Sequence, residues 1–237
     1  MNYIFKGEVI DYTFSKTSNE TIIFLHGWGG NKSSFTSTIY LVKNKFNVLS
    51  LTIPTTQNTN TTWDMFDYRN LIINLCSILN INNPIIICHS FGFRIATLLK
   101  EKINIKKIIV TGGAGMKKNN IFKKTTLNHK ILNNKLSKIK TFLNFSKQND
   151  YSILSNINKQ TFKNVVNLNT INLINFDCPL LLFWGLKDYE TPIWIAKKLK
   201  KKNNAKLITT KSNHFAYLNE NSYFNNSVLG FINEHNN

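Results

Sequence analysis

The chain has 237 residues, 42% of them hydrophobic, and a formal charge of +18. That length suits one α/β domain of good size with a small insertion, and no apolar run approaches the length of a membrane span. Met1 to Lys6, followed by Gly7 and Glu8, holds no signal-peptide core, and Cys76, Cys88 and Cys178 form neither a metal spacing nor a disulfide framework, so a cytoplasmic location is expected.

Almost all of the positive charge is lysine, since Arg69 and Arg94 are the only arginines. The chain is also crowded with Asn and Ile, the mark of an AT-rich coding sequence, which by itself can account for the lysines. Attraction to anionic partners is the functional reading, and it predicts a weak association with anionic membrane surfaces. Nucleic acid is not an expected partner, because arginine-rich or aromatic-interleaved motifs are missing.

Taken in order, Tyr3–Phe5 and Glu8–Phe14 read as a hairpin with alternating side chains. Thr21–Leu25 is a buried strand that runs into His26-Gly27-Trp28-Gly29-Gly30, and a helix follows through about Lys43. Phe46 to Ile53 is a strand closed by Pro54, Thr55 to Thr62 a polar loop, and Trp63 to Leu79 a helix with Leu71, Leu75 and Leu79 at turn spacing. Ile85 to Cys88 is an unbroken apolar run, the pattern of a strand buried on both faces. It enters His89-Ser90-Phe91-Gly92 and a helix to about Glu101. Ile105 to Thr111 is the next strand, ending in Gly112-Gly113-Ala114-Gly115. That lone glycine cluster lacks the helix start and following acid of a dinucleotide site.

From about Met116 to Thr170 the composition turns lysine-rich and poor in acid, and this segment reads as a helical lid. Leu132, Leu136, Ile139 and Leu143 share one face of a first helix; a second carries Ile157, Thr161 and Val165. Two ordinary packing helices would show the same pattern. Pro179 to Trp184 is a strand, Thr191 to Lys200 a helix with Pro192 in its first turn, Ala205 to Thr209 a last strand, and Glu220 to Ile232 a closing helix. Alternating strands and helices predict a mostly parallel sheet covered on both faces, in a single domain over 1–237 with the lid at about 116–170.

Four chemical signals fall after strands. A serine at a sharp strand-to-helix turn is a nucleophile elbow, which needs small residues two before and two after it; here these are Cys88 and Gly92. The alternative is an ordinary serine in a loop. The His26 loop follows an early strand, Asp188 a late one and His214 the last, so in a parallel sheet all four reach one edge. Glu190 is a rival to Asp188, and the spacing to Pro192 favours Asp188.

With these motifs the chain resembles the α/β-hydrolase superfamily, over most of its length and least in the lid. His26-Gly27-Trp28-Gly29-Gly30 resembles the oxyanion loop, Cys88-His89-Ser90-Phe91-Gly92 the elbow, Gly185-Leu186-Lys187-Asp188 with Pro192 the acid loop, and Asn213-His214-Phe215 the histidine loop, with Asn in place of Gly. Within the superfamily it is most similar to small capped esterases. The resemblance implies Ser90 as nucleophile, His214 as base, Asp188 as its acid partner, and the backbone N–H groups of Trp28 and Phe91 as oxyanion donors. His26 is expected to brace the oxyanion loop from behind, and His89 to belong to the wall or its support. An apolar acyl pocket is expected from Trp28, Phe91, Phe93 and Tyr189, and neither a metal nor a cofactor is expected. A serine at position 90 argues against the dehalogenases and epoxide hydrolases of this fold, which carry an aspartate there.

The expected activity is hydrolysis of a small carboxylic ester through an acyl-enzyme. Carbon–carbon or amide cleavage, a lysophospholipase acting on anionic lipid, and a ligand-binding module without catalysis are the alternatives.

Overall fold

The computed structural model describes residues 1–56, 59–116, 155–170 and 172–234. Eight strands form one sheet: β1 (Asn2–Phe5), β2 (Glu8–Ser15), β3 (Thr21–Leu25), β4 (Asn47–Leu51), β5 (Ile85–His89), β6 (Lys107–Thr111), β7 (Leu180–Gly185) and β8 (Lys206–Thr210). Their order across the sheet is β1-β2-β4-β3-β5-β6-β7-β8. β1 and β2 are antiparallel, joined at Lys6 and Gly7, both with positive φ as a tight primed turn requires. β2 also meets β4 antiparallel, and every pairing from β4 to β8 is parallel.

The unbroken apolar runs become the central strands because both sheet faces are covered. On one face Ile23, Ile86, Ile108 and Leu182 pack with α2 (Met65–Ile78), α3 (Phe91–Leu99) and α5 (Trp194–Asn203). On the other, Ile22, Phe24, Ile87 and Phe183 pack with α1 (Thr36–Val42) and α7 (Asn221–Asn233), which follows the short α6 (Ala216–Asn219). β3 sits between β4 and β5, so the chain reverses its direction of winding there, and the crevice at that reversal opens at the carboxyl ends of β3 and β5.

Two helix starts differ from the sequence expectation, each for a local reason. α2 begins at Met65 because Asp64 caps it: its carboxylate accepts from the N–H groups of Phe66 and Asp67, and Asp67 accepts from the Asp64 N–H. α5 begins at Trp194, three residues after Thr191, because the Thr191 N–H and hydroxyl are both taken by Asp188. α6 was not expected at all. Of the lid, the second helix is present as α4 (Asn156–Asn167), burying Thr161, Phe162 and Val165, with Ile157 half-buried. The first lid helix, with Leu132 and Leu136, lies outside the described residues.

Lys107 opens β6 with its side chain buried, donating to the carbonyls of Phe231 and Ile232 at 2.9 and 3.1 Å. These are carbonyls of the last turn of α7, which have no partner within the helix. The cation therefore caps that helix and ties it under the sheet. Lys107→Met keeps the apolar stem and removes the donor. It should cost about 1–3 kcal/mol of stability, read as a lower urea midpoint with unchanged slope.

Candidate active site

The elbow forms as its residue sizes require. Ser90 ends β5 with φ 47° and ψ −108°, strained geometry for a residue with a side chain. Gly92 is forced: a Cβ there would lie 2.2 Å from the Leu25 carbonyl oxygen, so only glycine lets the elbow close on β3. The Ser90 N–H donates to the Thr111 carbonyl at 3.1 Å, and the Ser90 carbonyl accepts from Phe93 and Ala114. Cys88, two residues before, is fully buried within β5.

Asp188 and His214 are brought together by the parallel pairing of β7 and β8, whose outgoing loops stay bonded. Leu186 N–H donates to Thr210 and Lys187 N–H to Ser212. His214 Nδ1 then lies 2.8 Å from Asp188 Oδ2, both side chains being almost wholly inaccessible. Because a carboxylate oxygen is the partner, Nδ1 carries the proton. Three further donors converge on Asp188: the N–H groups of Glu190 and Thr191 on Oδ1, at 3.1 and 2.8 Å, and the Thr191 hydroxyl on Oδ2 at 2.7 Å. That hydroxyl is also 3.2 Å from His214 Nδ1. Thr191 was missed in the sequence, where its place before Pro192 made it look like a helix start. Asn213, in place of the usual glycine, has no positive φ; its side chain accepts from the Phe215 and Asn219 side of the turn and pins the loop.

Gly112 links the two halves of the site. It takes φ 55°, and a Cβ on it would come within 2.9 Å of His214 Nδ1, so the turn after β6 passes close against the imidazole. The His89 ring lies 4.6 Å from that of His214, and its Nδ1 donates to the Thr111 carbonyl at 2.9 Å. Burial, with His214 close by, holds His89 well below its usual range, so it is a neutral wall and not a base.

The loop after β3 is braced from behind by His26, as expected. His26 Nδ1–H donates to the Gly27 carbonyl at 2.7 Å, while Nε2 accepts from the Ile53 N–H at 2.8 Å. Gly29 N–H donates to the Thr55 hydroxyl. Among the described residues, neither the Trp28 N–H nor the Phe91 N–H has an acceptor. The Trp28 ring meets Phe91 and, across from it, Phe162 of α4, at 5.4 and 5.1 Å with edge-on geometry. Phe162, buried on α4, thus packs against Trp28 beside Phe91. α4 is held there by Arg94 of α3, buried and donating to the Val165 and Leu168 carbonyls.

Two expected wall residues are placed elsewhere. Tyr189 is 80% exposed, because the loop turns Asp188 inward and its neighbour outward. Phe93 lies in the core against Phe176, on the inner side of α3. Oxygen and nitrogen atoms of Asp188, Glu190 and His214 lie within 4.8 Å of one another. Asp188 and His214 already spend Oδ2 and Nδ1 on each other, so this is a hydrogen-bonded charge cluster and not a set of ligands for an ion.

No known protein-family profile matches the sequence, and no curated protein sequence matches it. Solved structures do. An α/β hydrolase, MGS-M2, from a Medee basin deep-sea metagenome library superposes with a TM-score of 0.78 at 18% identity, covering 100% of this chain and 98% of that one. An esterase from Exiguobacterium antarcticum gives 0.74 at 16% identity, over 95% and 96%. A meta-cleavage product hydrolase from Pseudomonas fluorescens gives 0.71 at 16%, over 100% and 98%. The chain has the α/β-hydrolase fold. Among the described residues no helix is long and apolar enough to cross a membrane.

His26 gives a pH prediction. Burial lowers its folded value from 6.5 to about 4, against the raising effect of the Gly27 carbonyl. Between those values the unfolded chain binds more protons than the folded one, so stability is full above pH 6.5 and falls as pH drops towards 4. At pH 5 the loss from His26 alone should be about 2 kcal/mol. The melting temperature should therefore fall from pH 7 to pH 5, and a His26→Gln variant, less stable at pH 7, should show a shallower fall.

Proposed function

We propose that the chain is a serine hydrolase that cleaves a carboxylic ester through an acyl-enzyme. The observation that carries this reading is the buried Asp188–His214 pair together with a serine held in elbow geometry at the same edge of the sheet. A serine hydroxyl is a poor nucleophile until an adjacent base takes its proton. With Nδ1–H fixed on Asp188, His214 offers Nε2 as that base. Ser90 Oγ attacks the ester carbonyl carbon as its proton passes to Nε2. The carbonyl oxygen becomes an oxyanion, met by the N–H groups of Trp28 and Phe91. Collapse of the tetrahedral intermediate breaks the bond to the alcohol oxygen, which leaves with the proton from Nε2. Water then repeats the sequence on the acyl-Ser90, releasing the carboxylic acid and restoring the serine.

Asp188 keeps the ring in one orientation and stabilises the imidazolium formed in each half-reaction. The aromatic wall of Trp28, Phe91 and Phe162 favours an apolar acyl group. The esterase and the meta-cleavage product hydrolase among the structural neighbours support a hydrolase of this fold.

A fluorophosphonate probe and a p-nitrophenyl ester series of increasing acyl length test the reading. Wild type should be labelled and should hydrolyse at least one ester, and Ser90→Ala should lose the label and fall by about 10⁴-fold or more in kcat. Failure of wild type to label or turn over any ester would leave the fold as a binding module.

A further inference from the structure

Glu190 takes no part in the mechanism above, yet its carboxylate stands in the charge cluster with Asp188 and His214, all within 4.8 Å. What the loop needs from residue 190 is its backbone N–H, which donates to Asp188 Oδ1, and any residue but proline supplies that. The side chain is the puzzle. A half-buried carboxylate beside a second carboxylate is disfavoured twice, by lost water and by like charge. Partial burial raises the Glu190 carboxyl above its usual 4.5, and the charge of Asp188 and a side-chain hydrogen bond with it add to that, while Glu190's own backbone N–H and the imidazole pull the other way. The imidazole offsets part of the cost, most of all when it is a cation.

We propose that Glu190 is a second carboxylate of the acid position, which shares the field on the His214 imidazole and accepts its Nδ1–H when Asp188 cannot. This rests on the serine-hydrolase reading and goes further: the acid position is a pair, not a single residue. Glu190 stands two residues from Asp188 on the same loop, with a carboxylate oxygen within 4.8 Å of a His214 ring nitrogen. The titratable groups facing His214 include Asp188 and Glu190 from this loop and His89 from the end of β5. His89 is neutral there, so the two carboxylates supply the negative field.

The test compares fluorophosphonate labelling rates of wild type, Asp188→Asn, Glu190→Gln and the double variant, each checked for a cooperative melt. Asp188→Asn keeps an oxygen for the two loop N–H groups and loses the acceptor for Nδ1–H. A lone acid lost this way costs about 10⁴-fold; with Glu190 in reserve the loss should be nearer 10²-fold, and Glu190→Gln in that background should remove a further tenfold or more. Glu190→Gln alone should slow labelling by roughly threefold or less. A 10⁴-fold loss in Asp188→Asn, or the same Glu190 factor in both backgrounds, would overturn the proposal. If Asp188→Asn does not fold, the downfield NMR resonance of the His214 Nδ1 proton decides without turnover: it should move in Glu190→Gln, and an unmoved resonance overturns the proposal. Absence of labelling in wild type with a moved resonance would instead fault the hydrolase reading and leave the paired carboxylates standing.

Discussion

The hydrogen bond between Asp188 and His214 is the interaction on which the site depends. It takes an anionic side chain and a proton-bearing ring out of water, and burial of that kind is tolerated only when every lone pair and N–H is answered. Asp188 is answered by four donors, three of them from its own loop, so the carboxylate is fixed before His214 meets it. The bonds between the loops leaving β7 and β8 then set how the ring arrives. Separate those loops and the carboxylate keeps three donors while the imidazole loses the carboxylate that accepts its Nδ1–H. The geometry is thus asymmetric: Asp188 is held by its own loop, and His214 by Asp188.

Three buried histidines crowd this edge, and their acceptors tell them apart. His26 donates Nδ1–H to the Gly27 carbonyl, His89 to the Thr111 carbonyl, and His214 to a carboxylate. A carbonyl orients a ring but gives little help to a cation, and burial holds the first two below their usual range. Only His214 has an anion in line with its proton. So the ring suited to gain a positive charge is chosen by its partner, not by its depth, since all three are equally inaccessible.

Much of this was legible in the chain. The apolar runs of β3, β5, β6 and β7 name themselves, because a strand covered on both faces has no polar alternation to confuse it. Ser90, Asp188 and His214 could be placed at one edge because each follows such a run. What could not be read was anything decided by side-chain direction or by competition for one backbone group. Tyr189 and Asp188 are neighbours, yet one faces solvent and the other is buried, and spacing does not say which. Thr191 looked like the first residue of a helix, and tertiary demand for its N–H and hydroxyl delayed that helix by three positions. Phe93 and Phe91 both follow the serine, but helical geometry turns them to different sides of α3, one to the core and one to Trp28.

Seven of the lysines stand far from Ser90, Asp188 and His214. Lys106 and Lys107 stand at the start of β6, Lys100 and Lys102 beside the end of α3, and Lys200 to Lys202 in the last turn of α5, just before β8 begins. Each of these places lies at the strand-start edge, while Ser90, Asp188 and His214 lie at the other. A five-residue strand spans about 17 Å, and at physiological ionic strength the field of an exposed charge decays over about 8 Å. These seven lysines therefore add little to the field at the serine.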